Sequence, residues 1–175
     1  MAESLEKEVD LSQYPHLNKG LEGIVAFTTT KSFIDGQKGE LIYSGYDIDT
    51  LAENATFEEV CFLLWNDRLP NQNELDELHN KLRSERTLPA PVINYISSTS
   101  GTAEPMAVLR TAVSMLADFH EKETDKASRH RINKAISITA KIPTIIAAFD
   151  RARNGKDIVD PLKEGSTAFN FLYML

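Results

Sequence analysis

Two helix-start signatures lie close together in the middle of the chain: Thr56 followed by Glu59, and Asn71 followed by Glu74. In each, the first side chain and a carboxylate three residues on can satisfy one another's otherwise free backbone N–H groups. Pro70 stands just before the second cap and cannot continue a helix. The segment must therefore fold as two successive helices with a short connection. "TFEEVCFLLWNDRLP" places Phe57, Val60, Cys61 and Leu64 on one face, and the helix after Asn71 carries Leu75, Leu78 and Leu82.

The same period runs through most of the chain. "DIDTLAEN" suits one short helix and "APVINYIS" another. Pro105 fits the first position of a helix, where its missing N–H costs nothing, and Leu109, Ala112, Val113 and Leu116 give that helix an apolar stripe. The charged "FHEKETDKASRHR" reads as a loop entering "INKAISITAKIPTIIAAFDRARNG", with Ile132, Ala135, Ile136 and Ile142 on one side. Pro143 must kink this helix or begin a new one. Arg151, Arg153 and Asn154-Gly155 make a good helix end. A last helix begins at about Ser166.

Ahead of the helices, "GIVAF" (Gly23 to Phe27) and "ELIY" (Glu40 to Tyr43) read as short strands. The "IDGQKG" between them carries an Asp35-Gly36 turn signal, so a hairpin with a longish loop is expected. Residues 1–20 form a polar arm and residues 21–175 a single helical body, with no repeat, low-complexity tract or long linker. The expected class is all-α, six to eight helices with a small N-terminal β-hairpin.

Charge and composition remove several functions. Net charge is −7, against a nucleic-acid binder, which needs a basic face for phosphates. The longest unbroken apolar run, Val60 to Trp65, is far short of the roughly 20 residues of a membrane span. "MAESLEKEVD" lacks an apolar stretch and is rich in acids, unlike secretory or mitochondrial leaders, so a cytoplasmic protein is expected. Cys61 is the only cysteine, sits in an apolar helix pattern, and reads as a small buried hydrophobe.

Few residues invite chemistry. Asp47, Asp49, Glu53 and Glu58 fall at calcium-loop spacing, but Leu51 and Ala52 occupy positions that need an oxygen ligand and a glycine. A solvated, capped helix is the better reading. His16, His79, His120 and His130 lack metal-site spacing, and no glycine-rich phosphate loop or serine elbow is present. Lys126, Arg129, His130, Arg131 and Lys134 form a basic cluster: a solvated face first, an anion site or a subunit contact second. Arg110, beside the Leu109 stripe, is either exposed or a buried pairing residue. From the residues alone, no active site is visible.

The motifs taken in order resemble a known family. "GLEGIVAFTT…LIYSGYDIDTLAENATFEEVCFLLWNDRLPNQNEL" resembles the start of a bacterial citrate synthase, and "PMAVLRTAVSML" its next block. "AKIPTIIAAFDRARNGKDIVDP" resembles the paired helices that follow, and "FNFLYML" a later helix. The resemblance covers residues 20–175 and implies a portion of the large helical domain. It implies an enzyme that condenses acetyl-CoA with oxaloacetate and hydrolyses the thioester, or the similar 2-methylcitrate synthase, which uses propionyl-CoA. The family's catalytic groups lie in "HGGAN"-type and "GHR"-type motifs and at a later aspartate, and its substrate-binding arginines also lie downstream; none is present here. No residue of this chain therefore takes a catalytic, cofactor-binding or metal-binding role by resemblance. The chain alone is expected to be inactive and to bind no cofactor, acetyl-CoA being a substrate of the parent enzyme, an expected homodimer. Glu104 stands where many relatives have histidine and Ser44 where many have arginine, which puts in doubt the local contacts those residues would make.

Seven of the last eight residues, Ala168 to Leu175, are apolar. A terminus is usually polar and frayed, so this stretch wants a covering surface. Two rival classes follow: a helical interaction module, or half of a split enzyme, whose partner covers "FNFLYML"; and a stand-alone ligand-binding domain resting on the basic cluster.

Overall fold

The computed structural model describes residues 28–99, 101–119 and 128–175, and of residues 128–130 the backbone alone. The chain divides into Met1–Thr30 and Lys31–Leu175, and every element below belongs to the second unit.

Strands β1 (Ser32–Asp35) and β2 (Glu40–Tyr43) pair antiparallel, with Ser32 opposite Tyr43 and Asp35 opposite Glu40. The Asp35 carboxylate closes the turn by accepting from the backbone N–H groups of Gln37 (3.0 Å) and Lys38 (3.1 Å). A two-residue β3 (Tyr46–Asp47) adds to the other edge of β2. Glu40–Tyr43 is a strand as expected, but its partner is Ser32–Asp35, in a stretch the sequence places outside any strand. Phe33 and Ile34 are both exposed, so no buried face imposes alternation on β1. The other expected strand, Gly23 to Phe27, lies outside the described residues.

Seven α-helices follow among the described residues: α1 (Ile48–Asn54), α2 (Phe57–Asn66), α3 (Gln72–Ser84), α4 (Ala90–Thr99), α5 (Pro105–Met115), α6 (Ser128–Arg153) and α7 (Thr167–Met174). Both capping boxes form. Thr56 Oγ1 accepts from the Glu59 N–H at 3.3 Å and Glu59 from the Thr56 N–H at 2.7 Å; Asn71 and Glu74 do the same at 3.0 and 2.9 Å. Pro105 opens α5, and Ser166 caps α7 by accepting from the Phe169 N–H at 3.1 Å. α6 ends where Gly155 takes φ +67, with Lys156 N–H returning to the Arg151 carbonyl and Gly155 N–H to that of Ala152. That paired closure needs a left-handed residue, which glycine supplies without strain.

The core is built on α6, which packs against α3, α4, α5 and α7. Its second half meets Leu88, Val92, Ile96, Val108, Ala112 and Leu116 through Ile145, Ala148 and Phe149. Its first half meets Leu78 and Leu82 through Ile136 and Ala140. α6 runs through Pro143 as one helix, so the proline does not begin a new one. Among the described residues it alone is long and apolar enough to cross a membrane, but half of that span is buried within this core.

Leu78 and Leu82 of α3, Ala112 of α5, Leu116 just past it and Ile136 of α6 are buried as the sequence predicts, but other stripe positions differ. In α2 the buried residues are Leu63 and, unexpectedly, Glu58, while Phe57 is 52% exposed. In α5 they are Val108 and Ala112 rather than Leu109 and Val113, which are half-buried.

Candidate functional site

The residues singled out by the sequence do not converge. Asp47 caps α1, accepting from Asp49 N–H (2.9 Å) and Thr50 N–H (3.4 Å), whereas Glu58 is buried on α2. No group of three His, Cys, Asp or Glu that could hold a metal exists among the described residues. His79 is half-buried on α3, where its charge favours an ionised Glu58. Arg110, Arg131 and Lys134 are exposed. Lys126, His16 and His120 lie outside the described residues, as do the side chains of Arg129 and His130. Cys61 is half-buried, and burial, then the Glu58 charge, push its thiol up to about 11. It is protonated at neutral pH and no nucleophile.

The two departures from the resembled pattern have local roles. Glu104 caps α5, its carboxylate accepting from Met106 N–H (2.8 Å) and Ala107 N–H (3.3 Å). Ser44 takes a left-handed turn position (φ 45) and donates its N–H to the Lys31 carbonyl at 2.9 Å.

What the sequence did not reveal is a set of polar side chains set into the interior, where burial without a partner would be costly. Arg86, 3% exposed, lies just past α3. Its Nη1 donates to the carbonyls of Leu162 (3.1 Å) and Glu164 (2.9 Å), and its Nη2 to that of Gly165 (2.9 Å). Arg83 Nε adds a bond to Gly165 at 3.3 Å. Burial and the Arg83 charge lower the Arg86 pKa, while Glu58 pushes back.

Glu58, 4% exposed, accepts from the Thr167 N–H at 2.8 Å and so places a carboxylate at the positive end of α7. Burial alone would raise its carboxyl. The bonds to Thr167 and the nearby His79 outweigh burial and hold it below the usual range. Asn170, also buried, accepts from the Leu162 N–H at 2.8 Å.

One residue before Arg86, Glu85 ties α3 to α6. Its Oε2 accepts from Ser137 Oγ (2.7 Å) and Lys141 Nζ (2.6 Å), which bond each other at 2.8 Å. Thr144 Oγ1 completes this junction by donating to the Arg86 carbonyl at 3.0 Å. The only sequence signal was the polar run Arg83 to Arg86 at a helix end, which reads equally well as a solvated terminus.

On the outside, α2, α3 and α6 enclose a groove of about 360 Å³ with a floor of Phe62, Trp65, Leu78, Ile132 and Ile136. Its rim holds the Arg68–Glu74 pair (2.5 and 2.8 Å), which with the Asn71 N–H pulls Glu74 down to about 2. No His, Cys or Ser lines it; its ionisable groups are the Arg68–Glu74 pair, Glu77 and Lys81. The other open surface is α7, with Phe169 59%, Leu172 71% and Tyr173 50% exposed. The described residues thus make a polar-pinned helical frame and an apolar outer face.

A family model described as "Citrate synthase, C-terminal domain" matches residues 20–175. Citrate synthase 2 of Bacillus subtilis is 44% identical over 158 residues, covering 90% of this chain and 42% of that protein. 2-Methylcitrate synthase 1 of Corynebacterium glutamicum is 35% identical, with 91% and 42% covered. The solved citrate synthase of Pyrobaculum aerophilum superposes with a TM-score of 0.81 at 33% identity, over 89% of this chain and 41% of that one. The chain spans about two fifths of the length of these relatives.

Proposed function

The chain belongs to the citrate synthase family, and from that membership we propose that it is the leading part of the large helical domain of an enzyme condensing acetyl-CoA with oxaloacetate. The observation that carries this is the family-model match over residues 20–175, together with a shared fold over 89% of this chain. The reaction removes a proton from a methyl group beside a thioester, a very weak acid. That demands a carboxylate base held close and a hydrogen-bond donor on the forming enolate oxygen. Cations must also hold the two carboxylates of oxaloacetate.

The described residues carry carboxylates and cations, but the resemblance assigns none of these reaction roles to them. In this reading the reacting groups lie in the rest of the family's length, and this part is the frame on which they are mounted. Acetyl-CoA is then a substrate bound elsewhere, not a cofactor of this part, and the whole enzyme is a homodimer. The uncovered apolar face of α7 supports a larger assembly, since fully burying one Leu or Phe stabilises by about 1.5–3 kcal/mol. A second reading, 2-methylcitrate synthesis from propionyl-CoA, is supported by the Corynebacterium relative.

Incubating the purified 175-residue chain with acetyl-CoA and oxaloacetate in the presence of a thiol reagent tests the scaffold role. The expected result is no thiol beyond the single equivalent that Cys61 can give on unfolding. Continuous release of CoA thiol, dependent on both substrates, would contradict it.

A further inference from the structure

The last nineteen residues are held differently from the rest of the body. The frame made by α3, α4, α5 and α6 is held chiefly by apolar contacts among buried side chains, beside the Glu85–Ser137–Lys141 junction. Of residues 157–175 only Met174, Asn170 and Thr167 are buried, with Ile158 packed half-buried on the core, while Phe169, Leu172 and Tyr173 of α7 are exposed. Their attachment is mostly polar. Arg86 grips three carbonyls of one loop, Glu58 caps α7, Asn170 ties α7 back to Leu162, and Arg151 donates to the carbonyls of Asp157 and Leu175. A segment anchored by few buried apolar groups opens locally at lower free energy than the core it rests on.

We infer that residues 157–175 form a strap that leaves the frame as one cooperative unit, and that Arg86 is its clasp. The geometry makes Arg86 the point of control. Its planar fork reaches the carbonyls of Leu162, Glu164 and Gly165 together, which a single ammonium cannot do. These three residues are half-buried or exposed, so their carbonyls regain water when the strap lifts. The guanidinium loses its partners at the same time. Opening therefore parts α7 and its loop from the frame at Arg86, and also lifts Ile158 and Met174 from their apolar contacts. Covering the outer face of α7 and holding the strap closed become the same event, since a partner on α7 fixes the segment that Arg86 clasps. This inference stands on the geometry of the chain itself and does not depend on the family reading.

Hydrogen exchange of the 175-residue chain, read by mass spectrometry on peptides, tests it. In Arg86→Met, amides of residues 162–175 are expected to exchange at least about tenfold faster, while those of α4 and α5 keep their wild-type rates. Arg86→Lys, which keeps the charge and loses the fork, is expected to give a smaller change in the same residues, and it decides the matter if the Met variant does not fold. Glu58→Gln should speed only Thr167 to Met174. Equal acceleration across α4, α5 and the strap would overturn the proposal, because Arg86 would then serve global stability alone. So would a strap in Arg86→Lys that exchanges as slowly as in the wild type.

Discussion

Ile96→Ala is expected to lower the unfolding free energy by about 3–4 kcal/mol. Ile96 is 0% exposed and lies where α4, α5 and α6 meet, packed in one cluster with Val92, Val108, Ala112, Leu116, Ile145 and Ala148. Three methylene-sized groups would be removed from a site whose neighbours are held on three separate helices. Ala112 and Ala148 are too small to move into the void, so the cavity stays open and its cost adds to the lost transfer energy. Domains of this size have only about 5–15 kcal/mol in hand. The melting temperature should fall by roughly 10 °C. Urea unfolding followed by circular dichroism measures the change. Leu172→Ala, at a position 71% exposed, serves as the control and should shift stability by less than about 0.5 kcal/mol. Equal losses in the two variants would contradict the placement of the core.

Glu58→Ala should cost about 2–3 kcal/mol at neutral pH, a loss that shrinks in acid. The substitution strands the Thr167 N–H in a buried position and takes a countercharge from the neighbourhood of Arg86. The folded-state pKa of Glu58 is lowered below its ordinary 4.5. The unfolded chain therefore binds the proton first, and the stabilisation is complete above the unfolded value. It is lost as pH falls below about 5 and through the folded pKa. Wild type and variant should thus differ most at neutral pH and converge in acid. Glu74, held at about 2 by Arg68 and Asn71, and the lowered Asp35 also weaken in acid, but they do so in both proteins and cancel in the difference. A gap that stays constant from pH 7 to pH 3 would show that Glu58 acts through shape alone.

Much of the fold was legible because helix ends are local. Thr56/Glu59, Asn71/Glu74, Pro105, Ser166 and Asn154-Gly155 each act through backbone groups within a few residues, so their meaning survives without tertiary knowledge. Which face a helix buries is a different matter. In α2 the periodicity accommodates either of two neighbouring stripes, and the choice falls to Leu63 and Glu58 because α7 arrives on that side, 109 residues later in the chain. For that reason a carboxylate read as a weak calcium-loop position turned out to be a buried cap of another helix. β1 escaped for the opposite reason: Phe33 and Ile34 face solvent on either side, and a strand with no buried face leaves no alternation to read.

The polar interior was illegible on the same grounds. Arg86, Glu85 and Lys141 look like ordinary surface charges until α6 and the loop at Leu162 to Gly165 close on them. Family was legible from the order of motifs and not from any site. The reason is physical as well: a frame specifies itself through packing, which many unrelated sequences share, whereas chemistry is announced by rare groups at fixed spacing. Among the described residues no such spacing occurs.

We propose that this chain is a working frame of a citrate synthase. The most direct test replaces the matching two fifths of the Bacillus subtilis citrate synthase 2 with residues 20–175 and measures CoA thiol release from acetyl-CoA and oxaloacetate. The expected result is turnover that requires both substrates and disappears without the frame. A soluble chimera with a cooperative melt and no thiol release would contradict it, since a frame of this family should carry the chemistry mounted on it.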